Sequence, residues 1–171
     1  MSFDALGPST ADDTGFEPPH LRQFTVFLDN RVGRLNALVG HLEQVSGPVA
    51  AISVEESADS ALVRLICTNP EWGKDILEKN GYPFAESDVL AVELPRKTKQ
   101  PLIAICTAIL AGEINIHYAY PLLIHPHGPA IALYVDDPTL AAQILIRKGF
   151  TLIGESDLDS SQPQIGVGKA G

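Results

Sequence analysis

Asn69-Pro70, with Lys79-Asn80-Gly81-Tyr82 and Glu86-Ser87-Asp88 behind it, recurs further along the chain. Asp137-Pro138 and Arg147-Lys148-Gly149-Phe150 stand 68 positions on, and Glu155-Ser156-Asp157 stands 69 on. Three matches in one register, with a drift of one residue, mark a duplicated unit. The period exceeds the roughly 20–50 residues of solenoid repeats and points to domain duplication. Units of that size bury little surface alone, so the two should pack together, within the chain or between chains.

Outward from this repeat, each unit reads strand, helix, strand, strand, helix, strand. In the first, Phe24-Thr25-Val26-Phe27-Leu28 is a β-rich run ended by Asp29-Asn30. Leu35, Leu38, Val39 and Leu42 line one helical face, and Ser46-Gly47-Pro48 stops that helix. Val49–Glu55 and Ala61–Thr68 flank a polar turn and form a hairpin. Asn69 is an N-cap before a proline at the first helical position; Trp72, Ile76 and Leu77 face inward, and Gly81 suits the C-cap. Phe84–Ser87 closes the unit.

The second unit begins with strand Val89–Leu94 and a helix over Pro101–Ala111 closed by Gly112. Ile103, Ile105, Thr107 and Ile109 alternate as in a buried strand, but the length, the flanking Pro101 and Gly112, and the repeat favour helix. Strands Ile114–Leu123 and Ala130–Val135 flank His125-Pro126-His127-Gly128-Pro129; a helix capped by Asp137 runs to Gly149, and Phe150–Gly154 is the last strand. The implied fold class is α+β: two ferredoxin-like βαββαβ subdomains, each an antiparallel four-stranded sheet with helices on one face. Their expected bounds are 21–88 and 89–158, meeting around Phe84–Val92. A flexible acidic arm (1–20) precedes them and a flexible tail (159–171) follows.

Twelve Lys and Arg against 21 Asp and Glu give a net charge of -9, which opposes nucleic acid and anionic membrane surfaces. An RNA-binding module of the same strand order needs aromatic residues on its central strands, and Ala61–Cys67 has none. No secretory signal is visible, and the longest apolar stretch, Leu102–Ala111, is far short of the ~20 residues of a membrane span. The expectation is a soluble, cytoplasmic protein.

The functional signal lies between the first strand and first helix, in Asn30-Arg31-Val32-Gly33-Arg34-Leu35. Free N–H groups at a helix start attract a carboxylate, and a glycine there leaves the approach open. Asn30 has an acceptor for an ammonium and donors for a carboxylate, so both halves of an amino-acid zwitterion are served. Here the sequence resembles the ACT-domain family, small βαββαβ regulatory modules that bind amino acids. That family's turn commonly reads Asp/Asn-x-Pro-Gly-x-Leu; Asn30, Gly33 and Leu35 match it, and Val32 replaces the proline. The resemblance spans 21–158 and implies a stand-alone, non-catalytic tandem protein that binds a free amino acid at a subdomain or dimer interface. It also implies a homodimer that regulates amino-acid metabolism. A related expectation is a small-subunit-like regulatory partner of a biosynthetic enzyme such as acetolactate synthase. Residues 30–35 are the expected ligand site; Ile52, Val54, Tyr118 and Tyr120 are candidates for lining an interface or pocket.

Other features carry plainer readings. His125 and His127 belong to a solvated loop, without the third ligand that zinc needs. Cys67 and Cys106 sit in apolar segments and read as buried packing. The two Glu-Ser-Asp segments read as solvated carboxylates closing strands, and Arg96, Lys97 and Lys99 as an exposed linker. A small ferredoxin-like enzyme would need a nucleophile–base pair or a metal set; no catalytic residue, metal or cofactor is expected. The second unit's counterpart turn, Arg96–Leu102, has no glycine, and Pro101 lacks an N–H, so ligand capture is expected at the first unit alone.

Overall fold

The computed structural model describes residues 15–45 and 47–159. Its first unit contains β1 (Leu21–Asp29), α1 (Arg34–Val45), β2 (Val49–Glu56), β3 (Ser60–Cys67) and α2 (Pro70–Lys79). β4 (Phe84–Glu93) leads into the second, with α3 (Pro101–Leu110), β5 (Ile116–Pro121), β6 (Ala130–Val135), α4 (Pro138–Arg147), β7 (Leu152–Ile153) and α5 (Glu155–Asp159). The expected arm is described only from residue 15, and the tail beyond 159 lies outside the described residues. No helix among the described residues is long and apolar enough to cross a membrane.

The duplicated segment repeats bond for bond. Asn69 Oδ1 accepts from Trp72 N at 3.2 Å, and Asp137 Oδ1 accepts from Leu140 N at 2.9 Å. At the far ends Tyr82 N donates to Leu77 O and Phe150 N to Leu145 O, both at 3.0 Å. Between them Gly81 and Gly149 take φ of 69° and 85°, the left-handed backbone that reverses the chain into the next strand.

The strands run in the order β2-β3-β1-β4-β6-β5, every pair antiparallel, with β7 also on β4. Each unit therefore has the ferredoxin-like order: β4-β1-β3-β2 in the first, β7-β4-β6-β5 in the second. β4 serves both. Phe84 to Val89 pair with Val26 to Leu21, whereas Leu90 to Glu93 pair with β6, and Ala91 and Val92 also pair with β7. The strand runs unbroken where the sequence suggested two, because 84–93 holds no glycine or proline and pairing continues through it.

The two ends of the sheet meet. Ala51 bridges Leu122, and Leu123 N donates to Ala50 O at 2.7 Å. The curl encloses a core that includes Leu21, Ile66, Val89, Leu122 and Ile153. Its alanines, Ala50, Ala51, Ala91, Ala130 and Ala132, let the sheet walls approach closely. The two units thus pack together within the chain. Helices cover the outside: α1 and α2 lie over Phe24, Val63 and Leu65, and α3 and α4 over Leu90, Val92 and Leu133.

Several local expectations change. Ile76 and Leu77 are buried, but Trp72, in the first turn of α2, is 56% exposed. Cys67 is buried and Cys106 exposed, because α3 buries Ile105, Ala108 and Ile109 and turns position 106 outward. Glu113, not Gly112, takes the left-handed backbone after α3 (φ 56°). Glu86-Ser87-Asp88 lies within β4 and Glu155-Ser156-Asp157 opens α5, so neither segment closes a strand.

Candidate functional site

The Asn30–Leu35 turn projects from the end of β1 and is exposed throughout, with Val32 fully so. Arg31 N donates to Asp29 O at 2.8 Å and Arg34 N to Arg31 O at 3.2 Å, which coils the chain into α1. Gly33 has φ 85°, and a Cβ there would meet nothing within 4 Å. The glycine is required by the backbone, and the space beside it is open. Asn30 Nδ2 donates to Glu56 Oε1 at 2.7 Å and to Ser57 O at 3.1 Å, tying the turn to the β2–β3 hairpin. Both amide hydrogens are engaged there. A carboxylate would therefore meet backbone N–H groups of α1's first turn, while Oδ1 is the Asn30 atom suited to an ammonium.

The second unit repeats this end with different chemistry. Phe27 N donates to Pro83 O at 2.9 Å and Glu93 N to Thr151 O at 3.0 Å, which aligns Glu93 with Phe27 and Arg96 with Asn30. Arg96 also reaches its hairpin, through a guanidinium N–H to His127 O. His127 Nδ1 lies 2.8 Å from Glu93 Oε1. Around these groups opens a cavity of about 410 Å³, completed by Gly128, Gly149, Phe150 and Thr151. The sequence reading missed this cavity: its walls come from three loops, and only the cationic run at 96–99 pointed toward it. The solvated-loop reading holds for His127, whose side chain is 70% exposed while it pairs with Glu93, and changes for His125, whose Nδ1 is buried.

The four candidate lining residues do not converge. Tyr118 and Tyr120 share a face of β5, with ring centroids 6.4 Å apart, whereas Ile52 packs toward the α1–α2 side and Val54 is 47% exposed. The tyrosines converge instead on Gln23, a fully buried polar side chain of β1. Gln23 Nε2 donates to Tyr118 Oη at 2.7 Å and Ser87 Oγ at 3.0 Å, and Tyr120 Oη donates to Gln23 Oε1 at 2.6 Å. Arg64 stacks 4.1 Å above the Tyr118 ring. Sequence reasoning missed Gln23 because one polar residue in an apolar strand carries no sign of its partners.

Burial pushes the Tyr120 phenol well above its ordinary 10.0, with the Tyr118 charge adding to the effect. A raised folded-state value means that this contribution to stability is complete below pH ~10 and is lost as pH rises above it. Ultraviolet titration of the four tyrosines should therefore show Tyr120 ionising only as the fold opens, with Tyr120→Phe removing that late step. Ionisation of Tyr120 near pH 10 in the folded protein would contradict the geometry.

Among the described residues, no group of three or more His, Cys, Asp and Glu side chains could hold a metal ion. No curated protein matches the chain. Among solved structures, protein BT0572 from Bacteroides thetaiotaomicron is similar with a TM-score of 0.73 and 22% identity, over 83% of this chain and 97% of that one. The ligand-free regulatory subunit of aspartate kinase from Thermus thermophilus is similar with a TM-score of 0.51 and 11% identity, over 85% and 93%. These likenesses concern the fold. A family model described as an ACT domain pair matches residues 20–161, which takes in both βαββαβ units and the shared β4. The chain belongs to the family of ACT domain pairs.

Proposed function

We propose that this chain is a regulatory protein of the cytoplasm that binds a free amino acid at the Asn30–Leu35 turn and works as a homodimer in amino-acid metabolism. ACT domains are regulatory, non-catalytic modules, so the ligand is bound and not consumed. The observation that carries the reading is the glycine-opened start of α1, standing free beside Asn30 within an ACT domain pair. A thermal-shift series against the twenty amino acids tests it. A ligand at about 100 times its dissociation constant adds about 2.7 kcal/mol, worth roughly 5–10 °C for a chain of this size. Calorimetry then locates the site. Gly33→Val blocks the approach but strains a left-handed backbone, so Gly33→Asn, which tolerates that backbone, is the companion variant. Both should lose binding by tenfold or more; unchanged affinity in both disposes of this turn.

The cavity at Glu93, Arg96 and His127 favours a second reading, in which the amino acid's ammonium meets Glu93 and its carboxylate meets Arg96. Loss of binding in Arg96→Ala with Gly33→Asn unaffected would move the site there. Docking onto a biosynthetic enzyme, such as the one forming branched-chain precursors, is compatible with either site. The similar Thermus thermophilus chain is itself a regulatory subunit of a kinase, which supports that reading.

A further inference from the structure

The curled sheet buries its own helix-free face and brings its outer strands together, so the apolar surface available for a homodimer lies elsewhere. Among the described elements α3 exposes the most of it. Leu102, Ile103 and Leu110 are 51%, 58% and 72% exposed, Cys106 is exposed between them, and Ile146 of neighbouring α4 is 44% exposed. Spacings of 102, 103, 106 and 110 put these side chains on one side of the helix. α3 carries no charged residue in its ten positions, whereas α2 carries five.

We infer that a second copy of this chain docks along this face, its α3 antiparallel to the first across a twofold axis at Cys106. The inference rests on the homodimer reading above, and three observations select the occupant. Residues 89–158 hold six acidic and five basic side chains against ten and six in 21–88, so two copies of a chain with net charge -9 repel least on this side. Leu102 and Leu110 stand four positions either side of Cys106, so an antiparallel mate sets each leucine opposite the other, as an isologous contact requires. A largely apolar cavity of about 460 Å³ lined by Leu94, Gln100, Pro101, Leu102 and Ile103 opens at the N-terminal end of α3, where the mate's Leu110 arrives.

Charge at the helix ends is mixed. Lys99 and Glu113 are each seven positions from Cys106 and would face one another, but Arg147 and Lys148 stand beside Ala111 at the same end. Apolar contact therefore carries the pairing, and added salt should not dissolve it. A ten-residue helix is only about 15 Å long, so the area falls short of a permanent dimer and association belongs in the micromolar range.

Sedimentation velocity of the full chain from about 5 to about 200 µM tests this. The weight-average mass should climb from 18.3 kDa toward twice that value. Ile103→Glu and Leu110→Glu, both at exposed positions, should hold it at 18.3 kDa with an unchanged melting temperature. A short bismaleimide should join two wild-type chains, since Cys106 is exposed, and should join none after Cys106→Ser. A wild-type chain monomeric throughout would overturn both the surface and the homodimer reading, leaving amino-acid binding untouched. A dimer that survives both glutamates, or that the bismaleimide fails to link, would overturn the α3 surface alone.

Discussion

Phe24→Ala should lower the unfolding free energy by about 3–5 kcal/mol, the range for deleting a buried aromatic ring. Phe24 is fully buried on β1, whose partners are β3 on one side and β4 on the other. Its ring meets Phe84 edge-on at 5.8 Å and lies under α2, where even a Cβ on Gly73 would come within 3.5 Å of it. With strand pairing on both sides and a helix above, the site has little freedom to collapse into the vacated space. Against the 5–15 kcal/mol typical of a whole domain, the loss is large. Melting followed by circular dichroism should fall by roughly 6–20 °C. A fall below about 3 °C would mean that the first unit's core is not packed as described.

The second large effect is expected at Gln23. Gln23→Leu keeps a similar volume but withdraws the acceptor of Tyr120 Oη and the donor to Tyr118 Oη and Ser87 Oγ. Stranding a buried hydroxyl costs about 1–3 kcal/mol, and Tyr120 is only 5% exposed. Because Gln23 belongs to the first unit and Tyr118 and Tyr120 to the second, the loss falls on the contact between units. Tyr120→Phe added to Gln23→Leu removes the stranded group, and the double variant should be no less stable than Gln23→Leu alone. Denaturant melts of the three variants check this; strictly additive losses would show that the two side chains do not act as a pair.

Apart from the short α5 and the single strand β4, where it suggested two, the sequence displayed the elements and their order. The Asn69 and Asp137 caps, the glycines at 81 and 149 and the alternation in β1 are local signals, readable within a few residues of where they act. The repeat doubled each of them, and it kept α3 helical although its isoleucines alternate as in a strand. The Asn30–Gly33 turn was legible for the same reason: φ of 85° demands glycine, and a helix start follows directly. Trp72 and Cys106 are exposed although the sequence reads them as buried, because an apolar residue in a helix reads as core until the neighbouring elements are known.

By itself, then, the sequence determined two βαββαβ copies, their caps and turns, and the place of an open helix start. These depend on backbone preference and on residues close together in the chain. The tertiary structure alone decided that β4 is one strand shared by both copies. It also decided that β2 and β5 meet, that Gln23 reaches two tyrosines nearly a hundred positions away, and that Glu93, Arg96 and His127 surround a cavity. Those contacts arise from how far a twisted sheet curls before its edges touch, and small alanines on both walls allow that closure. The sum of such packing choices is a property of the whole chain, and no local pattern of residues records it.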